Sequence, residues 1–338
     1  MASPLHTSAG RESGALPDLS GAIVLGGCAA WALVTSFGRE ARPEGILLAV
    51  LAVAAGYAVG RISGSLLPAA TATVAALAGL GLALTSVQAL PGSAVTAPPG
   101  RSGETAALLA LAAGAACCAA WATTARLRRL ALWLLAAGIA VSALLLGSIA
   151  GCAAAVAVLL CSLAAGWARR RLPVLVALLL ATMTVAGITW AVAERALPPG
   201  LTAVLEGQLT QHRAGLWRDA VTIAAEHPVT GAGPDRFGEA SPTASGSADA
   251  DGKPHSALLQ LAAEQGVPGV LLLAGAYGWL LLACARSPRP TPVVLTAAAA
   301  LTALAVLACA GNALSFNQVT MGAGLLAGIA TAQRPEKS

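Results

Sequence analysis

Arg169–Arg195, RRRLPVLVALLLATMTVAGITWAVAER, decides what kind of protein this is. Three arginines precede a run, Leu172–Ala193, that holds no charged side chain, and Glu194-Arg195 close it. At 1.5 Å per residue a helix of this length covers about 33 Å, enough for a hydrocarbon core about 30 Å thick. The arginines mark the end that is retained on the cytoplasmic side. The run is therefore read as a transmembrane helix that leaves the cytoplasm at Arg171 and emerges at Glu194.

Similar runs recur along the chain: Leu19–Phe37, Ile46–Gly60, Leu66–Leu90, Thr105–Ala125, Leu130–Gly147, Ser148–Ala168, Val267–Ala285, Thr291–Ala310 and Val319–Ala332. No charge separates the pair within Leu130–Ala168, but that stretch is twice one span long, and Leu146-Gly147-Ser148 offers a break. Hydrophobic residues make up 57% of the 338 and charged residues 10%, against about 25% charged in a soluble domain. This excludes a water-soluble protein. Backbone groups in lipid must be satisfied within the segment, and no run alternates as barrel strands do, so the spans are helices. The expected fold is all-α, a polytopic membrane bundle of about ten transmembrane helices (eight to twelve), and the abundant Ala and Gly suit close packing.

With both termini cytoplasmic, the inner side holds twelve Lys/Arg against three Asp/Glu and the outer side eight against twelve. Arg126, Arg128 and Arg129, Arg169–Arg171, Arg286 and Arg289, and Arg334 and Lys337 all fall inside. The basic net charge of +5 thus reflects topology and calls for no nucleic acid. The expected layout is a disordered cytoplasmic tail (1–18), spans one to seven (19–193), an extracytoplasmic loop with short helices (194–266), spans eight to ten (267–332) and a cytoplasmic tail (333–338). The tail is polar, and the long apolar run after it lacks the cleavage pattern of a signal peptide. All seven cysteines lie in apolar runs and read as small buried hydrophobes; no spacing suggests a metal site or a cofactor.

None of the ten runs contains Asp, Glu, Lys, Arg or His. Ion-coupled carriers place such groups at membrane depth, so an ion-driven transporter is disfavoured. The polar residues collect in Glu194–Gly266, too long for a mere connection. Leu201–His227 has helical periodicity and ends before Pro228, and it places Arg213 and Trp217 on one face, with Arg218 and Asp219 offset. A tight turn, Val229-Thr230-Gly231-Ala232-Gly233-Pro234, leads to Asp235-Arg236-Phe237. Glu239–Pro254 is poor in apolar residues and expected to be mobile. HSALLQLAAEQG, from His255, reads as a short helix that runs into the eighth span, with His255 at its start, where the helix dipole favours a neutral imidazole.

These residues resemble the O-antigen ligase and polymerase superfamily of membrane glycan transferases. The resemblance is carried by Arg213-x-x-x-Trp217; by His227-Pro228-Val229-Thr230-Gly231-Ala232-Gly233 followed by Phe237; and by His255-Ser256-x-x-Leu259-Gln260 with Glu264, Gly266 and Gly269. It is sharp over Arg213–Gly269 and elsewhere only a shared pattern of spans. The family commonly carries Ser-Arg-Gly at the start of the span matching the sixth here; this chain has Ser148-Ile149-Ala150, with Ile149 where arginine is expected.

The resemblance implies transfer of a glycan from a polyprenyl-diphosphate carrier, such as undecaprenyl diphosphate, to an acceptor hydroxyl at the outer face of the cytoplasmic membrane. The acceptor is a glycan, a lipid or a protein. A diphosphate leaving group suits planar, permanently charged guanidiniums, which assigns Arg213 first and then Arg218 and Arg236. A neutral imidazole takes the acceptor's proton, which assigns His255 as general base. Trp217 and His227 complete the expected substrate-binding set, and transfer is expected to need no metal. A polymerase of lipid-linked repeats requires the same parts. A transporter and a catalytically silent scaffold are the readings outside this chemistry.

Overall fold

The computed structural model describes residues 6–88, 101–196, 211–246 and 252–333. Among these, the long helices are α1 (His6–Ser36), α2 (Glu44–Leu66), α3 (Pro68–Gln88), α4 (Arg101–Ala122), α5 (Arg126–Leu145), α6 (Ile149–Ala165), α7 (Arg171–Ala193), α8 (Gln211–Glu226), α11 (Ala257–Ala285), α12 (Thr291–Cys309) and α13 (Asn317–Thr331). Two short ones, α9 (Phe237–Ala240) and α10 (Pro242–Ser245), follow α8. The described residues contain no strand. Among the described residues eight helices are long and apolar enough to cross a membrane; α6, with 17 residues, and α13, with 15, are shorter. The protein is a polytopic, all-helical membrane bundle.

The ten expected runs each correspond to one of these helices, with shifted ends. The stretch Leu130–Ala168 divides where Leu146-Gly147-Ser148 suggests. Gly147 takes φ +73°, which costs glycine nothing, and the Ser148 hydroxyl caps α6 by accepting from the Gly151 N–H at 3.1 Å. Three boundaries differ more. The helix of the first span begins at His6. The helix of the second passes Gly60 and ends just before Pro68, so Arg61 lies in its last turns and pairs with Asp18 at 2.7 Å. Glu104, in the first turn of α4, is buried and accepts a hydrogen bond from Gln318. Ionisable groups therefore do occur within the helices, near their ends.

α4 is the hub. Every described side chain from Glu104 to Ala120 is buried, and α3, α5, α6, α12 and α13 all pack around it. Its run of Ala and Gly lets five neighbours approach one axis. Closer still is the crossing of α2 with α13. A Cβ placed on Gly56 or Gly60 would lie 2.2 Å from the carbonyl oxygen of Met321 or Leu325, and one on Gly324 or Gly328 would lie 2.2 or 2.3 Å from that of Val53 or Tyr57. Backbones touch there because neither face carries a side chain. Cys117, Cys118, Cys284 and Cys309 are buried as expected, whereas Cys161 is exposed on the bundle's flank.

Long-range bonds sort the connections to two ends. At one, the Arg39 guanidinium donates to the Gly231 carbonyl and the Thr230 hydroxyl (2.9 Å each), Arg42 N–H donates to the Pro234 carbonyl at 3.1 Å, and Ala257 N–H donates to the Gly311 carbonyl at 3.1 Å. At the other, Arg171 donates to the Ser287 carbonyl (2.6 Å) and the Thr291 hydroxyl (3.0 Å), and buried Arg289 donates to the Ala332 carbonyl at 2.8 Å. These two arginines do more than mark a side: they satisfy carbonyls at helix ends. The division into two ends matches the alternation expected from charge.

Candidate functional site

The long connection between α7 and α11 has its own small core. Leu216, Trp217, Ala220 and Ile223 of α8 meet Val192 and Ala193 of α7, Phe237 of α9, Ala244 of α10, and Leu259 and Ala263 of α11. α8 ends at Glu226, as Pro228 requires; of the expected helix Leu201–His227, residues 201–210 lie outside those described. The stretch Glu239–Pro254, expected to be mobile, is in its first half two helical turns fixed to α8. The Asp219 carboxylate accepts from the Ser241 hydroxyl (2.6 Å) and the Thr243 N–H (2.9 Å), which supplies by hydrogen bonding what the segment lacks in apolar side chains. Burial works against ionisation of Asp219, but those bonds and the Arg218 charge outweigh it and hold its carboxyl below the ordinary value.

Chain reversal after α8 depends on two glycines. Gly231 (φ +60°) presses on the backbone of Glu264 and Gln265, and Gly266 (φ +67°) on the carbonyls of Pro228 and Val229; a Cβ at either would come within 2.5 Å of them. The amides of the turn point at α11. Ala232 N–H donates to the Ala263 carbonyl (2.8 Å), Gly233 N–H to the Glu264 carbonyl (2.9 Å), and Val267 N–H back to the Pro228 carbonyl (2.8 Å). At Gly266 the α11 backbone leaves helical geometry, which separates a first segment in the loop core from the membrane-spanning part that starts at Val267.

The six residues expected at the site fall into two groups and a remainder. In the first, Arg213 and Trp217 reach the segment that carries His255. Arg213 Nη2 donates to the His255 carbonyl at 2.9 Å and also to the Ala310 carbonyl, and its guanidinium lies 5.6 Å from the centre of the Trp217 ring. Trp217 is 4% exposed, with its indole N–H donating to the Pro254 carbonyl at 2.8 Å. It therefore belongs to the loop core and positions the segment before His255. His255 is half-buried with φ +50°, and the helix itself begins at Ala257, capped by the buried Ser256 hydroxyl, which accepts from the Leu259 N–H at 3.4 Å. The histidine thus stands one residue ahead of the cap. Burial pushes the Arg213 guanidinium below its ordinary value, the signature of a cation held partly out of water.

In the second group, Arg236 and His227 line one small cleft of about 180 Å³ with Ala232, Glu239 and Ala240. Arg236 is paired with Glu239 through Nε (3.1 Å) and Nη2 (2.9 Å). A larger polar cleft of about 470 Å³ adjoins it, between Glu40, Ala41 and Arg42 of the α1–α2 connection and Asp235 and Glu239. Arg218 stays apart, exposed on α8 and bonded to its own helix at the Ala214 carbonyl.

Sequence reasoning did not single out Glu264 for a role. It is 4% exposed, and burial raises its carboxyl to about 7 against hydrogen bonds from the Asp235 N–H and the Gln260 amide (3.1 Å). Its place in the resemblance was the available signal. Among the described residues no three His, Cys, Asp or Glu side chains cluster as metal ligands do.

No individual curated protein matches the chain. The sequence model of the family described as O-antigen ligase matches residues 101–274. That match runs from the hub helix α4 through the Arg213/His255 segment and into α11. It covers just over half of the 338 residues and includes every residue of both groups, so the chain belongs to the O-antigen ligase family.

Proposed function

We propose that the protein transfers a glycan from a polyprenyl-diphosphate carrier to an acceptor hydroxyl, at the outer face of the cytoplasmic membrane and without a metal ion. The observation that carries this reading is the bond from Arg213 to the His255 carbonyl, which joins a partly buried cation and a histidine 42 residues apart in sequence. The donor diphosphate takes up the guanidinium, whose charge is poorly solvated and so favours an anionic partner. The His255 imidazole takes the proton of the acceptor hydroxyl as its oxygen attacks the anomeric carbon. The bond from that carbon to the phosphate oxygen breaks, its electron pair stays on the diphosphate, and Arg213 stabilises the charge as it develops. Arg236, in the adjoining cleft, is the second phosphate partner, with His227 beside it; Arg218, on the outer face of α8, meets the donor on approach.

Ligation and repeat-unit polymerisation share this chemistry and differ in the acceptor. A deletion strain distinguishes them: carrier-linked full-length glycan accumulates if the protein ligates, and single repeats reach the normal acceptor if it polymerises. Arg213→Ala and His255→Ala are expected to abolish transfer with the protein still in the membrane; full transfer in both would overturn the mechanism. Activity is expected to survive a chelator.

A further inference from the structure

Glu264 is the point at which the two halves of the site meet. Its carboxylate accepts the Asp235 N–H, from the turn that leads into Arg236, and the Gln260 amide, from its own helix. Asp235 holds φ +61°, a conformation that an aspartate keeps only when its surroundings enforce it. The same glutamate's backbone carbonyl accepts the Gly233 N–H at 2.9 Å. Lys253, two residues before His255, is near enough to act on the carboxylate as an opposite charge. One nearly buried carboxylate therefore contacts the Arg236 turn and faces the segment that delivers His255. A structural role alone is served by an apolar side chain at less desolvation cost.

We propose that Glu264 is a positioning residue for the donor: by holding the Asp235–Arg236 turn against α11 it sets the Arg236 guanidinium for the donor diphosphate. This rests on the transferase reading above. The charged groups facing the carboxylate are Asp235 from the turn and Lys253 from the loop, while Arg39 approaches the turn from the α1–α2 connection. Of these Lys253 favours the ionised form and Asp235 opposes it. Ionised, the carboxylate accepts both N–H donors; protonated, it loses part of that capacity, and the turn loosens.

The test uses the full-length protein in micelles and undecaprenyl diphosphate, without sugar, as the probe, so that His255, which acts on the acceptor, is left out of the measurement. Glu264→Gln is expected to weaken binding roughly tenfold at pH 8. Arg236→Ala is expected to do the same, and the double variant to be no weaker than either, whereas Glu264→Gln combined with Arg213→Ala is expected to be additive. Wild-type affinity is expected to rise between about pH 6 and 8 by more than that of Glu264→Gln, which lacks this carboxylate. If Glu264→Gln fails to fold, Gln260→Leu, which removes one donor to the carboxylate, is expected to weaken binding about threefold. Binding within twofold of wild type in Glu264→Gln, or in Gln260→Leu where it must stand in, overturns the inference while Arg213→Ala still loses the probe. Retention of the probe by Arg213→Ala overturns the transferase reading instead.

Discussion

Ile149 is the first residue of α6, and its side chain is 78% exposed at the end of the bundle that carries the long connection. Gly151, whose N–H donates to the Ser148 cap, packs closely against Ala106 of the hub helix. An arginine at 149 would disturb no packing and would add a guanidinium at the end where Arg213 already stands. Ile149→Arg is accordingly expected to lower the donor KM several-fold with kcat within about twofold, read from transfer kinetics at varied donor concentration. An unchanged KM means that the donor head lies out of reach of α6. At this scale Arg213 and His255 could be named as candidates because the resemblance fixes their spacing to Trp217 and Gly266, and the structure adds the bond between Arg213 and the His255 carbonyl. Glu264 was not, since its role appears only when the 228–236 turn folds back on α11.

Among the elements, the closest packing is that of α2 on α13. Gly56, Gly60 and Gly64 recur at four-residue spacing, as do Gly324 and Gly328, so the glycine faces can be read from sequence; that they face each other across more than 250 residues cannot. Gly60→Leu forces a side chain into the Leu325 carbonyl and is expected to cost about 1–3 kcal/mol or more, seen as a lower melting temperature in detergent and a smaller folded yield. Wild-type stability in this variant would show that the helices separate without cost. The α8–α10 unit adds polar bonds to Asp219 to the small core around Phe237 and Ala244, and a sequence poor in apolar residues concealed it. Because the folded carboxyl lies below its unfolded value near 3.9, the stabilisation is complete at neutral pH and is lost as pH falls through the folded value. Asp219→Asn is thus expected to raise hydrogen exchange in 237–246 at pH 7, and the wild type to show the same rise only in acid. Equal exchange in both proteins at pH 7 would remove Asp219 from this role.

For the whole molecule, positive charge and apolar length prescribed an alternating bundle, and the long-range bonds place the connections at two ends in that alternation. Periodicity carried this much because each span is a local structure; the two clefts and the α4 hub depend on which helices meet, which no single run encodes. A green fluorescent protein fused after Ser338 is expected to fluoresce and alkaline phosphatase fused after Arg195 to be active, with the reverse pattern contradicting the orientation. In the proposed mechanism Arg213 and His255 together perform glycan transfer. The direct measurement is single-turnover transfer from an undecaprenyl-diphosphate glycan by purified protein. A rate loss on the order of a hundredfold or more is expected for Arg213→Ala and for His255→Ala, with the double variant little worse than either. Wild-type rates in both single variants would contradict it.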